Sequence, residues 1–442
     1  MNKLKNDKQN LKNSSKSKLQ TIYKTINDDP FPRFIRQTFF DAIDESTGNI
    51  IDGQSLLYAK TEWGILNKDS GLYEKKGLRY GENPDQPAAL YRLINGNLLI
   101  GDIEIISPDN YLVSFPELVQ SGKHPGKINL TDVDSALNIL KYLGARPSCV
   151  IVKHNNPCGV SRKDSLVKAY QTANLADRVA AFGGAVVFNQ SIDKITAESI
   201  CDNYAEVIAA PEFEDGVLDL FEKKKNLRII KIKNINRLQD FVNSNYLEFK
   251  SLSDGGMVLQ LNQKLNNSFE NLVPAHHTYR KQKYKSASNF STDLKPDVEF
   301  GLAVEYGVTS NSIIFVKDET TVAIGTGEQD RVGVAKIAVA KAYDKAKDRA
   351  AWLKYKIPYA DITTSQAELI NSEVSKNCAG LDCSIMISDG FFPFPDGVEV
   401  GLAQGIAGVV QPGGSINDYQ VIEACNKVHV PMLFTGQRLF KH

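Results

Sequence analysis

Residues 149–159 read Cys149-Val150-Ile151-Val152-Lys153-His154-Asn155-Asn156-Pro157-Cys158-Gly159. The apolar run at the start suits a buried strand, and the Pro and Gly behind it suit a turn. Lys153 and His154 therefore stand at the carboxyl end of a strand, where open α/β sheets present reactive side chains. Just upstream, Val133, Ala136, Leu137, Leu140 and Leu143 form one helical stripe, with Thr131 and Asp132 as expected caps and Gly144 as the stop. Just downstream, Ala185-Val186-Val187-Phe188 reads as another strand.

The alternation resumes after a polar, Lys-rich stretch from Phe213 to Lys285. Strands are expected near residues 312–316, 321–324, 383–387, 407–410 and 431–434, with helices near 330–343 and 417–427. Helix–strand alternation twice over predicts an α/β fold in two similar domains. The expected division is a basic disordered tail at 1–20, an N-terminal extension at 21–76, a first domain at 77–285 and a second at 286–442.

Composition narrows the function. With 442 residues and 42% apolar content the chain can bury a large core. Lys plus Arg and Asp plus Glu both number 52, which argues against a general nucleic-acid or membrane-surface binder. No apolar run is long enough to span a bilayer, and the Lys-rich start lacks the apolar core of a secretory signal. Six scattered cysteines without a C-x-x-C suit reduced thiols in the cytoplasm. A zinc deaminase would need H-x-E and P-C-x-x-C, and neither occurs.

Several further segments could carry chemistry, although each alone also fits an ordinary turn. In Leu78-Arg79-Tyr80-Gly81-Glu82-Asn83-Pro84, Arg79 offers a planar fork for phosphate and Tyr80 a stacking face. Gly325-Thr326-Gly327-Glu328-Gln329-Asp330-Arg331 joins a strand to a helix, so its N–H groups could cradle an anion. The Phe- and Pro-rich segment from Ser388 to Gly397 offers rigid aromatics, Phe391 and Phe394 among them, for a flat heterocycle, and Asp396 for its amino edge. Arg438, near the last residue His442, could bind phosphate.

Together these segments resemble the AICAR transformylase domain of the AICAR transformylase/IMP cyclohydrolase family. The likeness runs from Leu78 to His442, with LRYGENP, VKHNNPCG, AFGG (Ala181 to Gly184), TSNS (Thr309 to Ser312), SDGFFPFPD and QPGGS…RLFKH in family order. The resemblance implies two cytidine-deaminase-like α/β/α domains and a homodimer with active sites at the subunit interface. It implies formyl transfer from 10-formyltetrahydrofolate to the amine of AICAR ribotide. Lys153 and His154 would be the catalytic pair, assisted by Asn311. Arg79, Tyr80, Gly81, Phe182, Gly183, Gly327, Arg331, Arg438 and His442 would line the AICAR site. Phe391, Phe394 and Asp396 would face the folate, and some members hold potassium near residues matching Ser310, Ser312 and Asp389. A rival expectation is a non-catalytic nucleotide-binding paralogue, and another is the same acceptor with a different formyl donor.

The sequence departs from the family pattern at Asp85, where His is common, at Thr309, where Gln is common, and at the acidic Glu328 and Asp330. Only 77 residues precede LRYG, without the Gly-rich pattern of the cyclohydrolase. The expectation is therefore transformylase chemistry without cyclohydrolase activity.

Overall fold

A computed structural model describes residues 30–51, 53–67, 70–98 and 110–442. The expected tail at 1–20 lies outside the described residues, as does the beginning of the extension. The fold is α/β, centred on a twelve-stranded mixed sheet. Ahead of it, β1 (Phe34–Phe39), β2 (Gln54–Thr61) and β3 (Leu90–Gly96) form a separate antiparallel sheet. That small sheet is fastened to the body where Trp63 Nε1 donates to Pro116 O at 3.0 Å and Thr61 Oγ1 to Ser114 O at 2.8 Å.

The large sheet contains β4 (Glu117–Gln120), β5 (Ser148–Lys153), β6 (Asn156–Arg162), β7 (Ala185–Phe188), β8 (Val207–Ala210) and β9 (Arg228–Lys231). It continues with β10 (Val273–Pro274), β11 (Ile313–Lys317), β12 (Thr320–Gly325), β13 (Ile385–Ser388), β14 (Gly408–Gln411) and β15 (Met432–Phe434). Outward from the middle, the first half runs β6-β5-β7-β8-β9-β4 and the second β12-β11-β13-β14-β15-β10. Each half is an antiparallel hairpin, a third strand antiparallel to it, two parallel strands and an antiparallel edge strand. The halves are thus copies of one arrangement, joined where β6 meets β12 at Ser161 and Thr320.

Helices cover both faces because the strands alternate between two apolar sides. Val150 and Val152, with Ile314 and Val316, enter one shared core with α1 (Lys127–Leu140) and α5 (Lys295–Glu305). Cys149 and Ile151 face α2 (Leu166–Ala176), α3 (Lys194–Cys201) and α4 (Val217–Glu222). Ile313 and Phe315 face α6 (Arg331–Tyr355), α7 (Thr364–Lys376), α8 (Pro395–Leu402) and α9 (Asp418–Lys427). Each fully buried side chain of this kind contributes about 1.5–3 kcal/mol. At Gly159 in β6 the approach of α2 is so close that a Cβ would lie 1.9 Å from Ala173 O.

Two expected features shift. Helix α1 starts at Lys127 with Gly126 as its N-cap, because Asn129 Oδ1 closes the first turn on Gly126 N–H at 3.1 Å. Thr131 and Asp132 are therefore interior to the helix rather than caps. Strand pairing also crosses the expected divisions at 77 and 286: β3 joins the sheet of the extension, and β10 joins the second half through Phe434 and Leu433. The polar composition of 213–285 hid that short edge strand.

Candidate active site

The β5–β6 turn carries the central pair. His154 and Asn155 both adopt left-handed backbone, at φ 56° and 61°, a conformation that costs an ordinary L-residue roughly 1–2 kcal/mol. Asp132, buried in α1, accepts the Asn155 N–H at 2.7 Å. Burial pushes the Asp132 carboxyl above the usual range, against the opposing pull of the Asn155 and His154 backbone N–H groups and the His154 charge. Lys153 Nζ donates to Phe182 O at 2.9 Å, while the His154 side chain is exposed.

Around this turn lie the residues of the first half. Phe182 is 61% exposed and its ring sits 4.9 Å from that of Tyr204. Gly183 (φ 78°) donates to Tyr204 O at 2.8 Å. The Arg79-Tyr80-Gly81 segment is pinned to the start of α1, with Arg79 N–H on Pro125 O and Lys127 N–H on Tyr80 O, both at 2.9 Å. The Arg79 guanidinium is buried, 4.8 Å from the Tyr80 ring centroid, and its Nε has no protein partner. Arg228 is buried too, with Nη1 3.3 Å from Glu206 Oε2. Burial lowers its pKa; Glu206 opposes that shift and the neighbouring Arg79 reinforces it. Two buried guanidinium groups beside one carboxylate make a net cationic wall, the charge that a phosphate complements.

The second half assembles a different group. The Ser310–Asn311 peptide is cis. Asn311 Nδ2 donates to Glu328 O and Gln329 O at 2.9 and 3.0 Å. Arg331, at the start of α6, is 8% exposed and its guanidinium is spent on the protein: it bonds Asn311 Oδ1, Ser312 O, Ser388 Oγ and Asp389. All of these partners are the protein's own, whereas the resemblance implied substrate contact. Ser310 Oγ donates to Asp389 Oδ2 at 2.6 Å, and Ser312 Oγ to the fully buried Glu305 at 2.9 Å. Glu305 Oε2 has no partner, and burial drives that carboxyl well above the usual range, with Asp389 adding to it. Hydroxyl and carboxylate oxygens of this kind are ligands that hard cations favour.

The carboxyl-terminal tail closes on the same loops, with Ser310 N–H on Lys441 O and Leu439 N–H on Asp389 O, both at 2.9 Å. Arg438 stacks 4.4 Å over Phe440, and the His442 ring lies 6.1 Å from that of Phe440. Gly327 (φ 73°) turns beneath Thr309. Phe391 and Phe394 are 40% and 55% exposed; Asp396, in the first turn of α8, accepts its neighbour's Gly397 N–H at 2.9 Å. The acidic departures are locally satisfied: Asp330 caps α6 through Gly333 N–H at 2.6 Å, and Glu328 accepts Gln329 N–H at 2.9 Å. Asn156 links the two groups, its Oδ1 accepting Thr309 N–H at 2.9 Å and facing Thr326 Oγ1 at 3.3 Å. Among the described residues, no hydrogen bond or ion pair joins Arg438 to the Arg79–Arg228 wall.

Tyr204, Glu206 and Arg228 escaped the sequence reading, and Asp132 entered it only as a helix cap. Arg228 left a trace, a charge opening the apolar run Ile229-Ile230; Tyr204 and Glu206 left none, since they reach the site only through β8.

The described residues thus form a duplicated α/β sheet that carries a Lys-His turn, a cationic wall and a hydroxyl–carboxylate cluster. The chain belongs to the AICARFT/IMPCHase bienzyme family, whose model matches residues 51–341. It is similar to the bifunctional purine biosynthesis protein PurH of Persephonella marina, 35% identical over 393 residues, covering 86% of this chain and 64% of that protein. The PurH proteins of Chlorobaculum parvum and Caldicellulosiruptor saccharolyticus are 34% and 32% identical, covering 84% and 83% of this chain and 60% and 59% of their own lengths. The chain thus spans about three fifths of the relatives it matches.

Proposed function

We propose that this chain catalyses transfer of the formyl group of 10-formyltetrahydrofolate to the 5-amino group of AICAR ribotide, in purine synthesis. The observation that carries this reading is the Lys153–His154 turn together with the buried Arg79, whose Nε has no protein partner, and its buried neighbour Arg228. The guanidinium groups hold the ribotide phosphate, and Tyr80 and Phe182 supply flat faces for the ring. The amine nitrogen attacks the formyl carbon while His154 takes its proton, a contribution of roughly 10²–10⁴-fold. The Lys153 ammonium stabilises the oxyanion. The bond from the formyl carbon to the folate nitrogen then breaks, and that nitrogen leaves carrying a proton. Phe391, Phe394 and Asp396 would receive the folate, and Ser310, Ser312, Asp389 and Glu305 would hold a potassium ion that steadies the Asn311 loop.

The exposed rings of Phe182, Phe391 and Phe394 support a homodimer in which Arg438 and Asn311 of one protomer complete the site of the other. The free cysteines support a reducing, cytoplasmic setting. Among the described residues no helix is long and apolar enough to cross a membrane. The test is a spectroscopic assay with AICAR ribotide and 10-formyltetrahydrofolate. Tetrahydrofolate release that falls at least ~10²-fold in His154→Ala, with AICAR binding kept, supports the reading. Tight AICAR binding without turnover by the wild type points to the non-catalytic paralogue; turnover with another formyl compound points to a different donor.

A further inference from the structure

The two halves repeat more than their strand order. In the first, Lys153 ends β5, His154 and Asn155 make a left-handed turn, and Asn156 opens β6. In the second, Lys317 ends β11, Asp318 and Glu319 make a left-handed turn at φ 51° and 50°, and Thr320 opens β12. Lys153 pairs with Asn156 across one hairpin as Lys317 pairs with Thr320 across the other. Lys153 Nζ reaches a backbone carbonyl ahead of β7, that of Phe182; Lys317 Nζ reaches one ahead of β13, that of Asp382; both distances are 2.9 Å.

Beneath each turn lies a buried aspartate on a helix of the shared core. Asp297 of α5 accepts the N–H groups of Asp318, at 2.9 Å, and Glu319. Asp132 of α1 accepts the N–H of Asn155 at 2.7 Å and faces that of His154. The second copy carries acidic residues where the first carries His154, and Glu319 is tied down by Arg146 and Arg162. One device thus serves as a plain structural fastener in the second half. In the first it holds the backbone from which the reactive imidazole projects.

We infer that Asp132 is a positioning residue for His154: its carboxylate fastens the left-handed turn and so aims the imidazole, without touching substrate. The inference rests on the proposed role of His154. Left-handed backbone at two non-glycine residues needs outside support to persist, and a misplacement of about 1 Å can cost 10²-fold in rate.

The test compares Asp132→Ala, Asp132→Asn, Asp297→Ala and His154→Ala in the full chain, measuring kcat, KM and AICAR binding. Asp132→Ala should lower kcat about tenfold or more with AICAR binding unchanged. Asp132→Asn, whose amide oxygen still accepts the turn N–H groups, should recover most of that loss. Asp297→Ala should lower the melting temperature and leave kcat near wild type. Should Asp132→Ala fail to fold, Asp132→Leu, which fills the buried site without accepting the turn N–H groups, makes the same prediction. Wild-type kcat in a folded variant lacking the Asp132 carboxylate, alongside an inactive His154→Ala, overturns the inference alone. Wild-type turnover in His154→Ala overturns the reading of His154 and this inference with it.

Discussion

Lys141, at the end of α1, is a buried cation with no carboxylate at contact distance among the described residues. It is 6% exposed; its Nζ donates to Asn138 Oδ1 at 3.0 Å and lies 5.2 and 5.5 Å from the ring centroids of Tyr142 and Tyr306. Burial lowers its pKa to about 8, against the more distant pull of Asp134 and Glu248. In the unfolded chain the same amine titrates near 10.4. The folded state therefore binds fewer protons than the unfolded state between those values, and stability rises with pH across that window. Below it, the full penalty of the buried charge is present. A gap of about 2.4 units at about 1.4 kcal/mol each sets that penalty at roughly 3 kcal/mol. Lys141→Met keeps the length and apolar stem, removes the charge and forfeits a hydrogen bond worth about 1 kcal/mol. The variant should therefore be more stable than wild type by roughly 2 kcal/mol at pH 7 and by only about 1 kcal/mol at pH 9. Urea unfolding at several pH values reads the difference. A stability gain that stays constant across this range, or a variant less stable at pH 7, would refute the assignment of the cost to a desolvated charge.

Three further outcomes are expected. Gly159→Ala should destabilise the protein by several kcal/mol, seen as a lowered urea midpoint, because its Cβ meets the Ala173 carbonyl rather than a yielding side chain. Arg79→Ala should weaken AICAR ribotide binding in calorimetry about tenfold or more, yet scarcely change binding of the dephosphorylated riboside, if the guanidinium holds the phosphate. Cys158, whose thiol burial drives up to about 12, should resist iodoacetamide at pH 8 while the exposed Cys383 is alkylated first; peptide mass mapping decides between them.

The core was legible because its signals are local. Cys149 to Val152 and Ala185 to Phe188 are apolar runs between turn residues, and they became the two strands that hold the Lys-His turn. The duplication was visible only as repeated alternation, since it resides in strand order and in a few scattered matches, Asp132 with Asp297 and Lys153 with Lys317, whose correspondence only the fold reveals. Asp132 read as a helix cap because an aspartate ahead of an apolar stripe usually is one. What overrode that reading was a tertiary partner 23 positions away. The cationic wall was half seen: Arg79 lies in a polar motif, whereas Arg228 is carried in from a distant strand. Arg331 entered the AICAR site only through the family resemblance; its ion pair with Asp389, 58 positions along the chain, left no mark in the local sequence.

The junction between the halves has a consequence for synthesis. Strand β6 finds its second neighbour only when β12 emerges, 159 residues later by the Ser161–Thr320 contact. At ribosomal rates of about 5–20 residues per second, the first half waits on the order of 10 s with an open sheet edge. That edge is guarded by its own composition. Ser161 and Arg162 later bond Thr320 and Glu319, and while they wait they present a hydroxyl and a charge to any stray strand, the usual protection against edge-to-edge aggregation. The same polar residues that stitch the finished sheet together thus keep the nascent half from stitching to a neighbour.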